Sequence, residues 1–183
     1  MNLSHHFLLA IPSLDNDSVF HQSVVYLCEH GESGALGLIV NKPSLVNMEI
    51  VFAAIGKPTP EKLQGQFVMM GGPVQPERGF VLHTPTGEWE SSLHINDSLA
   101  LTTSRDIIDG LAKDEAIDAA ILTIGCSQWS AGQLERELAQ NAWLVAPADM
   151  EILFDTPIEE RYNAALGKLG VDAAHLMGEG GNA

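Results

Sequence analysis

The chain is short of positive charge. Nine Lys and Arg face 24 Asp and Glu, for a formal net charge of −15. The basic residues are Lys42, Lys57, Lys62, Arg78, Arg105, Lys113, Arg136, Arg161 and Lys168, and no two are adjacent. Nucleic-acid binders neutralise phosphates with clustered Lys and Arg, so direct nucleic-acid binding is not expected. The same field opposes anionic membrane surfaces. It is compatible with a basic protein partner, or simply with solubility.

Cysteine is scarce too. Cys28 and Cys126 make no disulfide framework, and a reducing cytoplasm fits them best. No apolar run approaches the roughly 20 residues that span a bilayer. The opening MNLSHHFLLAIP has no basic n-region, so no signal peptide is expected. HExxH, GxSxG and GxxxxGK[ST] do not occur, and the cysteines lack metal-finger spacing. Neither a metal nor a cofactor is expected.

What is present is an ordinary globular composition, 45% hydrophobic over 183 residues. A chain of this size buries roughly 70% of its unfolded surface. One domain is expected over residues 1–177, with GEGGNA, 178–183, as a mobile tail. Strands are predicted over 7–11, 67–70, 79–83, 93–95 and 99–102, with a loop over 13–18. Residues 23–28 and 35–41 read as a hairpin joined by EHGESG. Residues 117–124 form an apolar run typical of a central strand. Apolar positions 48, 51, 52 and 55 predict a helix closed by Gly56. Three further helix starts are marked: Thr103 with Asp106, Ser130 with Gln133, and Thr156–Pro157 with Glu159. The last helix is expected to bury Ile158, Tyr162, Ala165, Leu166 and Leu169, and to stop at Gly170.

Two strand exits stand out, GALGLIVNKP at 34–43 and VMMGGPV at 68–74. Folds of mixed helix and sheet place ligands at such exits. Asn41 could orient a polar ligand, and Lys42 could pair with an acid or phosphate. Equally, Asn41 could satisfy its own turn and leave Lys42 in solvent. Gly71 and Gly72 could let backbone N–H groups approach an anion, or simply hold two strands close. His83, at a strand end before Thr84 and Pro85, is the best single acid–base candidate. Cys126 precedes a helix by a few residues and could be a nucleophile if paired with a histidine such as His83. The plain alternative is a small residue filling space near Trp129. Ser104 completes the candidate cleft. Asn41, Gly71, Gly72 and His83 are expected around one surface depression, because neighbouring strand ends gather at one sheet edge.

Taken in order, HHFLLAIP, SVVYLCEH, GALGLIVNKP, VMMGGPV, RGFVLHTP, LTTSRDII, GQLERELAQNAWLVAPAD and TPIEERY resemble the bacterial AlgH/YqgE family. No single block is specific, but their conjunction is, and it runs from His5 to Tyr162. The resemblance implies a mixed α/β fold: a branched sheet with a small barrel-like portion, surrounded by helices. It also implies a cytosolic protein linked by name to transcriptional control of exopolysaccharide production. No accepted enzymatic activity travels with it. Where related sequences commonly carry Gly-Tyr before the tryptophan, this chain reads Gly125, Cys126, Ser127, Gln128, Trp129, so no catalytic role is carried over to Cys126. The leading expectation is a non-catalytic binding or regulatory protein, acting on an unknown protein or small molecule and affecting gene expression indirectly. An enzyme using His83 or Cys126 is the alternative. A direct transcriptional regulator is a third reading, opposed by the charge.

Overall fold

The computed structural model describes residues 2–11, 20–113 and 117–170. The predicted loop at 13–18, the boundary at 177 and the tail at 178–183 lie outside the described residues. Strands β1 (His6–Ala10), β2 (Val24–Gly31), β3 (Gly34–Ile39) and β4 (Pro43–Asn47) lead into helix α1 (Met48–Ala54). Then come β5 (Phe67–Met70), β6 (Val74–Thr84), β7 (Ser92–His94), β8 (Ala100–Thr102) and helix α2 (Asp106–Lys113). The chain continues through β9 (Ala119–Trp129), α3 (Gln133–Ala139), β10 (Trp143–Pro147), α4 (Met150–Phe154) and α5 (Arg161–Gly167).

The ladder runs β10-β1-β2-β3-β9-β6-β8-β7, with β5 also on β9 and β4 on β5. The sheet therefore branches at β9, whose far end pairs with β3 while its first part lies between β5 and β6. Among the described strands β5–β9 is the parallel pair, and the rest are antiparallel. The result is the expected mixed α/β fold, with the sheet curled into a half-barrel.

Period-two alternation distributes the core. Phe7 and Leu9 of β1 join Tyr26 and Leu38 under α4 and α5, where Tyr162 and Leu166 meet them. Leu8 and Ala10 face the other way, with Val25, Ile39, Trp129 and Trp143, towards Leu134 of α3. A third cluster joins Phe52 of α1 and Leu111 of α2 to Val81 and Leu122 of β6 and β9. Helix α1 starts where Asn47 Oδ1 accepts from Ile50 N at 2.9 Å, capping an orphan donor.

Several local expectations need correction. The central strand does not stop at Ile124: Gly125 takes φ +75° and the ladder continues, with Val74 paired to Cys126. Cys126 thus lies inside β9, not between a strand and a helix. The Thr103–Asp106 capping box does not form, because the Asp106 carboxylate takes Ser104 Oγ and the Glu90 N–H instead. Of the Ser130–Gln133 box the reach-back half forms, Gln133 Oε1 accepting from Ser130 N at 2.9 Å. Thr156 is not an N-cap; its hydroxyl donates to Glu151 O, and a 3₁₀ turn over Ile158–Glu160 precedes α5. That helix ends at Gly167 and leaves Leu169 exposed.

Candidate functional site

The two strand exits do meet. Met70 N donates to Lys42 O at 2.7 Å, and Ile39 N to Gly71 O at 2.8 Å. Ser127 Oγ also donates to Gly71 O, at 3.1 Å. Asn41 is occupied by backbone: its Oδ1 accepts from Val24 N and its Nδ2 donates to Gln22 O, both at 2.9 Å. Lys42 is half-buried, and burial pulls its ammonium below the usual lysine range. At Gly71 and Gly72 the carbonyls of Gly125 and Cys126 stand where a Cβ would go, at 2.4 and 2.3 Å. The pair brings two backbones together.

His83 does not join them. Gly72 lies just before the first residue of β6 and His83 just before its last, so the two sit at opposite ends of one strand. Val74 pairs with Cys126, whereas His83 pairs with Ala120. The expected shared depression is therefore absent. Strand ends gather at one edge when they belong to neighbouring strands, and these are the two ends of the same strand.

His83 is fully buried. Its Nδ1 lies 3.0 Å from Pro85 O, which can only accept, so Nδ1 carries the proton. Nε2 then accepts from Thr102 Oγ1 at 2.7 Å. The ring packs edge-on to Trp89 at 6.1 Å. Burial lowers its pKa, and so holds it neutral. On unfolding it returns to about 6.5, so the unfolded chain binds the proton first as pH falls. Its contribution to stability is complete above that value and is lost on acidification towards the lower folded pKa. His5, lowered by burial and then by His6, acts in the same sense. Melting temperature should be flat from about pH 8 to 7 and fall below about pH 6.5. His83→Gln should make that fall shallower; an unchanged slope in the variant would remove His83 from the account.

Cys126 is also fully buried, in β9, and burial raises its thiol pKa, opposed by the Gln128 amide 3.6 Å from Sγ. The Cys126–His83 pairing that an enzyme would need is not formed, since His83 lies opposite Ala120, six residues back along β9. A small alkylating agent should label neither cysteine of the native protein between about pH 6 and 8, and both after denaturation. Rapid native labelling of Cys126 near pH 6 would restore the nucleophile. Ser104 belongs elsewhere again. Its hydroxyl donates to Asp106 and accepts from Ser91 N at 2.9 Å, at the rim of an apolar cleft of about 300 Å³ between α1 and α2. Among the described residues no group of three His, Cys, Asp or Glu is placed to hold a metal ion.

A cavity larger than that cleft lies beside the strand exits: Met69 of one exit lines it, and so does Arg161, whose Nη1 donates to Val40 O of the other. It spans about 470 Å³ between β5, β9 and the segment joining α4 to α5. Phe67, Met69, Leu122 and Phe154 supply apolar wall, and Lys62 and Arg161 line it with positive charge. Arg161 escaped the sequence reading, although a signal existed. It falls three residues after Ile158 and four before Ala165, on the stripe the helix was expected to bury.

A family model described as AlgH-like matches residues 7–174. The UPF0301 protein of Neisseria meningitidis serogroup B is 55% identical over 183 residues, covering all of both chains. The UPF0301 protein of Chromobacterium violaceum is 49% identical over 184 residues, covering all of this chain and 98% of that one. The solution structure of the AlgH protein from Pseudomonas aeruginosa superposes with a TM-score of 0.79 at 42% identity, over 97% of this chain and 94% of that one. A Corynebacterium diphtheriae protein shares the fold at 22% identity, with a TM-score of 0.70 over 88% of this chain and 84% of that one.

Proposed function

We propose that this chain, which belongs to the AlgH-like family, is a non-catalytic binding protein that works through protein contact. The observation that carries the reading is the free edge of the sheet at β4. Among the described residues β4 pairs with β5 and with no other strand. Around it stand the large exposed hydrophobics Leu45, Ile50, Phe67 and Met70, with Leu45 at 96% exposure. Folded chains keep open edges short or charged, because an open edge templates pairing with another strand. An apolar edge suits an extended segment of a partner added as a further strand. The net charge of −15 favours a segment with basic residues.

The two side chains that an enzyme would have used, His83 and Cys126, are fully buried and apart, which supports binding over catalysis. Direct DNA recognition is not part of the reading. Fluorescence anisotropy at about 0.1 M salt should show no saturable complex, and a salt-sensitive, sequence-selective one would refute this part.

The contact surface is tested by crosslinking in extract of the source cells. Wild-type protein should give a discrete crosslinked product, lost in a Leu45→Glu, Phe67→Glu double variant whose circular dichroism is unchanged. A product that survives both substitutions, or no product at all, defeats the reading.

A further inference from the structure

Arg161 is a buried cation with no ion-pair partner among the described residues. The residue is 8% exposed. Its Nε donates to Thr156 O at 2.9 Å and its Nη1 to Val40 O. Among the described residues no carboxylate makes an ion pair with the guanidinium, and Glu159 acts on it only through longer-range charge. A guanidinium has five N–H donors, so these two bonds leave three without a protein partner, and Nη2 is open to water and not sealed in the core. A charge held out of water is unfavourable unless it is paired, and two carbonyl oxygens carry only partial charge.

The same residue lines the 470 Å³ cavity, which falls in the range of small-molecule sites. The wall around it is largely apolar, through Leu63, Phe67, Met69, Phe154 and Ile158. Asp118, Asp155 and Glu159 also line the cavity, but all three are exposed and so screened by water. A charge in the buried wall acts through a lower effective dielectric than charges at an exposed rim, so Arg161 dominates the interior.

We propose that this cavity binds a small monocarboxylic acid with an apolar body, its carboxylate on the free donors of Arg161 and its body against Phe67 and Phe154. The planar guanidinium fork matches a carboxylate. The acidic rim selects a single charge over a dianion, since each added negative charge meets three carboxylates on entry. The site shares Phe67 with the apolar surface around β4 but includes neither Leu45 nor Ile50, and the proposal does not depend on the protein-contact reading.

The test is an NMR titration of labelled wild-type protein with 3-phenylpropanoate, with its neutral amide, and with inorganic phosphate. A ligand of this size binds at about millimolar concentration in a fitting site. The carboxylate should give saturable shifts at amides of the cavity wall, and the amide of equal shape should bind at least about tenfold more weakly. Phosphate should bind more weakly than the carboxylate. Arg161→Met should abolish the carboxylate preference. If that variant fails to fold, the carboxylate–amide comparison on wild-type protein decides the matter alone. Equal binding of acid and amide, tighter binding of phosphate, shifts mapping elsewhere, or no saturation up to about 20 mM would each overturn the assignment.

Discussion

Gly72→Ala is expected to destabilise the protein by about 3–5 kcal/mol and to lower its melting temperature by roughly 10 °C. At Gly72 the backbone has φ +153°, and an added Cβ would stand 2.3 Å from Cys126 O and 2.4 Å from Ser127 Oγ. The first obstacle is main chain of β9, held by the β6 ladder through the Val74–Cys126 pair, so it cannot swing aside as a flexible side chain could. Gly65→Ala is the control. Gly65 also has positive φ, +78°, but nothing lies within 4 Å of its Cβ position. That variant should lose only the backbone term, about 1–2 kcal/mol. Thermal melts of the two followed by circular dichroism separate strain from collision. Equal melting temperatures would show that the contact at Gly72 relaxes freely.

Glu137→Ala should cost about 2–4 kcal/mol. One oxygen of this carboxylate, Oε1, accepts from the indole N–H of both Trp129 and Trp143, at 3.1 and 2.8 Å. The other accepts from Gln133 Nε2 at 2.9 Å. The two indoles pack edge-to-face at 6.1 Å, and both residues are buried. Without Glu137 two buried donors lose their partner, and each such loss costs about 1–3 kcal/mol. Glu137→Gln keeps an acceptor oxygen and should lose less. Tryptophan emission and melting temperature report the two effects together. If the alanine and glutamine variants melt alike, the acceptor is not what holds the indoles.

The sequence showed its architecture through periodicity and hid it where residues act at a distance. The apolar runs of β1, β2, β3 and β5 and the spacing of α1 announce themselves, because burial repeats locally with the element's own period. Strand β10 does not. WLVAP is short, ends in proline and is a strand because β1 lies beside it, Leu8 opposite Val145. The extension of β9 past Gly125 depends likewise on β6 being there to receive Cys126.

The candidate site was less legible. Of Asn41, Gly71, Gly72 and His83, which were expected around one depression, the first three lie on two strand exits joined by bonds from Ile39 N to Gly71 O and from Met70 N to Lys42 O. His83 was grouped with them because a strand's direction cannot be read from its composition. Arg161 is not distinguished by composition from the other dispersed basic residues; only the fold shows its guanidinium on the buried face of α5. Glu137 looked like one more acid in an acidic chain until the fold brought two indoles to it.

The branching of the sheet at β9 also sets an order of events during synthesis. Leu36 is paired with Gln128, Met69 with Thr123, and Phe7 with Ala146. When the hairpin of β2 and β3 leaves the ribosome, the strand that joins it to β5 and β6 has yet to be translated, and β1 waits longer still for β10. The nascent chain therefore carries strand edges with no mates until its last quarter emerges. Contacts so distant in sequence slow folding, since loop closure must precede any gain from pairing. The net negative charge grows as the chain lengthens, so repulsion between unfinished copies is weakest while the first strand edges stand open and strengthens as later segments emerge.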